Sequence, residues 1–248
     1  MQSFRLSCKF LAQPVDFSAI LKTGHQAYNQ QSMSDSPLLL GHRGARASVS
    51  VRENTLASFD LALEHGCDGF EFDVRLTDCG RSLICHDPKV EGIVVSEATC
   101  KQLIHLPRLE DVLQGYARRA FLDIELKVPG LESKVLLALQ ECEPEHGYVV
   151  SSFLPEVLLE LRTRSATVPL GLICDRQEQL KRWRELPVEY VIPHHTLISE
   201  ELVREVRKAG KKLFAWTVND KASMLRLAEW GVDAIVSDET ELLVRILR

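Results

Sequence analysis

From Leu38 onward, short apolar runs alternate with longer stretches whose apolar residues recur every three or four positions. Brief apolar runs read as strands, and the three- and four-residue recurrence reads as the buried stripe of a helix. Strands are expected over residues 38–42, 69–76, 81–86, 120–126, 148–153, 169–174, 189–193, 212–218 and 232–237. Leu56, Phe59 and Leu63 mark one helical stripe, and Leu202, Val203 and Val206 mark another. Gly66, Gly210 and Gly231 each follow such a stripe and are expected to end helices, since glycine takes the left-handed conformation there without penalty. Strands alternating with helices imply a parallel sheet with the helices outside it.

Nine strands are one too many for an eight-stranded barrel. The surplus lies between Asp73 and His86, a span too short for a helical crossover, which needs about a dozen residues. Thr77-Asp78-Cys79-Gly80 reads instead as a hairpin turn, with Gly80 free to take a positive φ. If residue 77 pairs with residue 80, Glu71 lies opposite His86, and Asp73 shares their face by the strand period of two. The expected architecture is an α/β barrel of eight strands with a hairpin after the second.

Residues 1–36 break this pattern. Their apolar positions are interrupted by Pro14 and Lys22, and residues 29–36 read NQQSMSDS. They are expected to form a flexible extension, with residues 37–248 as the barrel domain. No run resembles a secretory core or approaches the roughly 18 apolar residues of a membrane span.

Composition narrows the class only a little. The 248 residues are 45% hydrophobic and 26% charged, with a formal net charge of -5, which are globular values. Mild acidity and the lack of a basic block argue against nucleic acid as a partner. The seven cysteines show no C-x-x-C pair, so reduced, buried thiols and a cytoplasmic location are expected.

The strand ends are more informative. His42-Arg43-Gly44 closes the first run, Glu71 and Asp73 interrupt the second, His86-Asp87 closes the third, and Asp123, Glu125 and Lys127 alternate along the fourth. Each alone has an ordinary explanation as a turn residue, a surface cation, a salt bridge or an edge strand. Four consecutive strands ending this way do not, because charges inside apolar strands are costly unless paired or bound to metal. In a barrel the carboxyl ends of the strands form the face where active sites assemble. Three carboxylates without nearby cysteine make a hard oxygen site suited to Mg²⁺ or Ca²⁺. Two histidines supply an acid and a base near neutral pH, and Arg43 and Lys127 supply cations for an anionic group. Together these describe phosphoester cleavage. No Gly-rich loop ending in Lys-Ser/Thr is present, so P-loop nucleotide chemistry is not supported.

The stretch from Leu40 to Asp87, LGHRG…RENTLASFDLALEHGCDGFEFDVRLTDCGRSLICHD, closely resembles the glycerophosphodiester phosphodiesterase family. LPRLEDVL at 106–113, LDIELK at 122–127, VSSF at 150–153, AWTVND at 215–220 and GVDAIVSD at 231–238 continue the resemblance in order. It implies a TIM (β/α)8 barrel that hydrolyses glycerophosphodiesters to sn-glycerol 3-phosphate and an alcohol. By carry-over, His42 and His86 are the catalytic acid–base pair. Glu71, Asp73 and Glu125 are the ligands of a divalent metal, Mg²⁺ or Ca²⁺, with Mn²⁺ also fitting. Arg43 and Lys127 bind the phosphate, while Glu53 and Asn54 brace the first loop and reach the site, with Glu53 among the substrate-binding residues. Trp216 matches a position near the pocket, a buried aromatic being the competing reading. The resemblance also implies attack by the glycerol 2-hydroxyl, through a cyclic phosphate that water then opens.

Three departures stand out. Arg52 replaces a common proline, Asp238-Glu239-Thr240 lacks a proline two after the aspartate, and only about twenty residues separate His86-Asp87 from Pro107, a reduced cap. The shortened cap leaves lysophospholipids as an alternative substrate class, and a non-catalytic phosphodiester-binding module as an alternative function. Retention of both histidines and all three carboxylates speaks against the module. Met33 lies just before the first strand, so translation is expected to start there. The intact mass of the natural protein should lack residues 1–32, and a mass that includes them would refute this start.

Overall fold

The structure, a computed structural model, describes residues 36–248. The extension expected over 1–36 and the start at Met33 therefore lie, apart from Ser36, outside the described residues. The chain opens with β1 (Leu38–Gly41), α1 (Leu56–Glu64) and β2 (Gly69–Leu76), followed by β3 (Ser82–Ile84) and the two-residue strands β4 (Lys89–Val90) and β5 (Ile93–Val94). Then come α2 (Leu109–Tyr116), β6 (Phe121–Leu126), α3 (Glu132–Glu141), β7 (Tyr148–Ser152), α4 (Pro155–Arg164) and β8 (Leu170–Cys174). The last third holds α5 (Gln177–Lys181), β9 (Tyr190–Pro193), α6 (Glu200–Lys208), β10 (Lys212–Ala215), α7 (Lys221–Trp230), β11 (Ala234–Ser237) and α8 (Thr240–Leu247).

Eight parallel strands, β1, β2 and β6 to β11, pair in sequence, and β11 pairs back to β1, closing a TIM barrel. Both faces of these strands are covered, which explains why β6 and β8 are buried at every position. Leu40, Phe121, Ile173, Tyr190, Phe214 and Val236 belong to the cluster on the strands' inner face, where Tyr190 and Phe121 meet Phe214 edge to face. A larger cluster packs the strands against the helices, with Phe59 of α1 stacked on Phe70 of β2. The expected helix ends hold: Gly66, Gly210 and Gly231 follow α1, α6 and α7 with φ of +98°, +71° and +77°. Asp220 caps α7 by accepting from the Ser223 amide.

β2 is longer than its neighbour. β1 pairs only with Gly69 and Phe70, so the same edge of β2 is free further along and β3 covers it, with Val74 opposite Ile84 and Leu76 opposite Ser82. The hairpin is as expected, but its register is not. Thr77 pairs with Arg81 through its amide, so the turn holds three residues rather than two, and the ladder places Asp73 rather than Glu71 beside the returning chain at Cys85. A one-residue slip moves every pairing to the other face, and the expected opposition of Glu71 and His86 is thereby corrected.

The reduced cap, residues 87–106, contains the β4–β5 hairpin and rests on a small core of Leu83, Cys85, Val95, Ala98 and Leu103. Cys79 in the turn and Cys100 in the cap form a disulfide, which corrects the expectation of seven reduced thiols. Their separation of 21 residues has no framework spacing; the two meet because the cap folds back onto the turn. This pair withdraws the cysteine argument for a reducing cytoplasm. Cys67, Cys85, Cys142 and Cys174 are free, and Cys8 lies outside the described residues. No helix among the described residues is long and apolar enough to cross a membrane.

Gly69 sits where β2 first meets both β1 and β6. A Cβ there would lie 1.9 Å from the Phe121 carbonyl oxygen, which is backbone and cannot yield. Gly69→Ala is expected to cost about 3 kcal/mol, lowering the thermal midpoint by about 6–12 °C. Scanning calorimetry of the variant checks this, and an unchanged midpoint would sink it.

Candidate active site

The barrel gathers the polar residues at the carboxyl ends of its strands. β2 contributes Glu71 and Asp73, β6 contributes Asp123 and Glu125, and their parallel register sets Glu71 beside Asp123 and Asp73 beside Glu125. All four are buried. They share the inner face because each pair is two residues apart on its strand. One oxygen from each of Glu71, Asp73 and Glu125 lies within 4.8 Å of the others.

Among the described residues, two cations, Lys127 and Arg43, meet these acids closely. The Lys127 ammonium lies 2.6 Å from Glu125 and 3.3 Å from Asp73, and Arg43 Nε lies 3.3 Å from Asp73. Burial works to raise the Asp73 pKa, but Lys127, Arg43 and a 2.7 Å hydrogen bond from Asn54 Nδ2 overcome it and hold the carboxyl below its ordinary value. Glu71 goes the other way, raised by burial and by repulsion from Asp73 and Glu125. Glu125 is pushed up to about 7, by burial first and then by Asp73. Asp123 also rises to about 7 through burial, against a 2.5 Å hydrogen bond from Ser151.

The donor set fits a divalent cation. Glu71 Oε1 is buried without a hydrogen-bond partner, and the three carboxylates converge with neither sulfur nor nitrogen among them. Convergent oxygens with unmet charge suit a hard ion. Glu71, Asp73 and Glu125 could therefore hold one.

Both histidines line the same cavity of about 490 Å³, together with Arg43, Glu71, Glu125 and Lys127. His42 Nδ1 lies 2.7 Å from Asp238 Oδ1, and its Nε2 lies 3.8 Å from Glu71. Asp238 is itself fixed by Asn219 and Arg46, and these partners with His42 hold its pKa down against burial. His86 Nδ1 lies 2.8 Å from Asp87, and burial lowers the His86 pKa in spite of that partner. Phe153, Ile173, Ile192, Trp216 and Val236 form the cavity's apolar side. Trp216 stands edge-on to Phe153 and donates its indole N–H to the Ile192 carbonyl, so it is both packed and pocket-lining.

The first loop is folded around the acids. Arg43 takes a left-handed φ of +50°, and its amide donates to Glu71 at 3.0 Å. Asn54 is also left-handed, a conformation asparagine tolerates, and it clasps Asp73 by both its side-chain amide groups. Glu53 is not among the residues lining the cavity of about 490 Å³; it accepts hydrogen bonds from Arg43 and Arg46 and so positions the former. The structure thus brings together His42, His86, Glu71, Asp73, Glu125, Arg43, Lys127 and Trp216, with Glu53 one contact away. Sequence reasoning assigned no role to Asp123 or Asp238. The period of two already placed Asp123 with Glu125, whereas nothing along the chain links Asp238 to a histidine 196 residues away.

Residues 42–135 and 131–242 match the glycerophosphoryl diester phosphodiesterase family. This chain belongs to that family. A glycerophosphodiester phosphodiesterase of Caldanaerobacter subterraneus is 31% identical over 239 residues, spanning 85% of this chain and 98% of the relative. Among solved structures, a family enzyme of Thermotoga maritima superposes with a TM-score of 0.73 at 26% identity, over 85% of this chain and 98% of that one. An Oleispira antarctica phosphodiesterase, solved in complex with the product sn-glycerol-3-phosphate, shares the fold with a TM-score of 0.75 at 24% identity, over 85% and 96%.

The raised carboxyls of Glu71 and Glu125 set a pH dependence. Glu125 rises from 4.5 to about 7 in the fold, so the metal-free protein binds more protons than the unfolded chain in that window and loses stability as pH climbs through it. A cation must displace those protons. The gain in thermal midpoint from excess Mg²⁺ or Ca²⁺ should therefore be larger at about pH 8 than at about pH 6; equal gains at both would contradict the assignment.

Proposed function

We propose that this protein is a metal-dependent hydrolase of glycerophosphodiesters, releasing sn-glycerol 3-phosphate and an alcohol, with residues 37–248 as its catalytic domain. The observation that carries this reading is a cavity bordered by two histidines, two cations, and Glu71 and Glu125 of a buried carboxylate triad. The product bound in the Oleispira enzyme supports the same chemistry. Glu71, Asp73 and Glu125 would hold Mg²⁺ or Ca²⁺, with Mn²⁺ also suited, and the ion would supply Lewis-acid charge to the phosphoryl oxygens.

The chain's own groups do the rest. Arg43 and Lys127, already aimed at the triad, place positive charge where the anionic diester must lie. Asp238 lies 2.7 Å from His42 Nδ1; with the proton held on Nδ1, Nε2 is the nitrogen that can act as a proton acceptor. Asp87 accepts from His86 Nδ1 and favours the ring that also carries a proton on Nε2, the form a general acid requires. One histidine takes the proton of the attacking glycerol 2-hydroxyl and the other protonates the leaving alkoxide. The apolar side at Phe153 and Trp216 favours a second substrate class, lysophospholipids.

His42→Ala and His86→Ala should each lower kcat on glycerophosphocholine by at least about 10²-fold. Rates read beside lysophosphatidylcholine, and beside a diester lacking the 2-hydroxyl, separate the two substrate classes and the cyclic route. Wild-type rates in both variants would overturn the acid–base assignment.

A further inference from the structure

Arg46 stands in the first loop and is not among the residues lining the cavity of about 490 Å³. Its guanidinium nonetheless reaches two carboxylates at once. Nε donates to Glu53 Oε2 at 2.7 Å, and Nη1 donates to the two oxygens of Asp238 at 3.1 Å and 3.2 Å. Each of those carboxylates already holds a group proposed to act on the substrate. Glu53 Oε1 accepts from Arg43 Nη1 at 2.9 Å, and Asp238 Oδ1 lies 2.7 Å from His42 Nδ1. The contacts run in one unbroken chain, from Arg43 through Glu53, Arg46 and Asp238 to His42.

The loop has other means of holding its shape. On one side of Arg46 the Ala45 amide donates to the Ser58 carbonyl, and on the other the Ala47 amide donates to the Asp238 carbonyl. The Arg46 side chain is 40% exposed. A lone ion pair so placed contributes little to stability, whereas a cation shared between two fixed acids forms a network. Both acids are fixed. Burial works to raise the Glu53 pKa, but Arg43 and Arg46 overcome it, and Asp238 Oδ2 accepts a further 2.7 Å hydrogen bond from Asn219. A planar guanidinium suits this task, because its N–H groups aim at separate acceptors from one rigid plane.

We propose that Arg46 is a positioning residue that couples the phosphate-binding Arg43 to the acid–base His42. The inference rests on the hydrolase reading. Proton transfer and phosphate binding must be aligned on the same substrate, and small displacements of either group cost rate. His42 and Arg43 are neighbours in sequence but have separate side-chain supports, Asp238 after β11 and Glu53 at the far end of the first loop. Arg46 joins the two supports, so the ring and the guanidinium that face the substrate are aligned by a residue that touches neither of them.

The measurement is kcat and KM for glycerophosphocholine with Mg²⁺ supplied. Arg46→Ala should lower kcat/KM by about tenfold, with kcat down and KM up together and the thermal midpoint unchanged. Arg46→Lys keeps the charge but meets only one of the two acids, and should recover part of that loss. Glu53→Gln and Asp238→Asn decide between coupling and a merely local role. With Arg46 present, their combined loss should fall short of the product of the single losses by about fivefold, since either change breaks the same chain. In the Arg46→Ala background the losses should multiply. Wild-type kcat/KM in folded Arg46→Ala, or losses that multiply with Arg46 in place, would overturn the coupling while leaving the hydrolase reading intact. Failure of the wild type to turn over the diester would overturn both.

Discussion

Mutual repulsion among Glu71, Asp73, Asp123 and Glu125 is the constraint on which the rest of the structure depends. The parallel register of β2 and β6 sets these acids side by side on the inner face, and each is buried. Like charges a few ångströms apart at low dielectric interact by several kcal/mol each, and two cations cannot answer four anions. The protein resolves this unevenly. Asp73 receives Lys127, Arg43 and Asn54 and stays ionised, whereas Glu71 and Glu125 are left to take up protons or a cation.

The first loop follows from that division. Holding Asp73 requires Arg43 and Asn54 to converge on it from either side of a short loop, and both adopt left-handed backbone to do so. Barrel closure contributes as well. The His42 amide donates to the Ser237 carbonyl where β1 meets β11, which brings Asp238 to the His42 ring. The first and last strands therefore build one side of the site together, and the seam that completes the fold also orients a proposed catalytic group.

The barrel was legible in the sequence because apolar runs and helical stripes alternate along most of the chain, and the acids stood out because charge inside an apolar strand has few innocent explanations. Asp123 was equally visible, two residues before Glu125, but lacked a partner in the sequence to give it a role. What could not be read depended on contacts across the chain. A two-residue and a three-residue turn both use Gly80, so the hairpin register is decided by pairing rather than by turn chemistry. The strands β4 and β5 hold two residues each, below the length at which any period shows. Cys79 and Cys100 are joined by the return of the cap, not by spacing.

The register slip left His86 on the cavity that Glu71 and Glu125 line, and the reason lies in how that residue is held. The β2–β3 ladder stops at Ile84, with one further hydrogen bond from the Cys85 amide to the Asp73 carbonyl. Beyond that point the pleat no longer dictates which way a side chain faces. The His86 carbonyl instead accepts from Arg75 Nε at 2.6 Å, and its ring meets Asp87 at the entrance to the cap. Arg75 stands on β2 between Asp73 and the hairpin turn, so the same strand that presents Glu71 and Asp73 anchors the histidine by a side chain rather than by its ladder. Placement by a long, flexible arginine tolerates a change of register that placement by strand parity would not. It also makes the His86 geometry depend on the cap, whose short length here is then a matter of chemistry as well as of access.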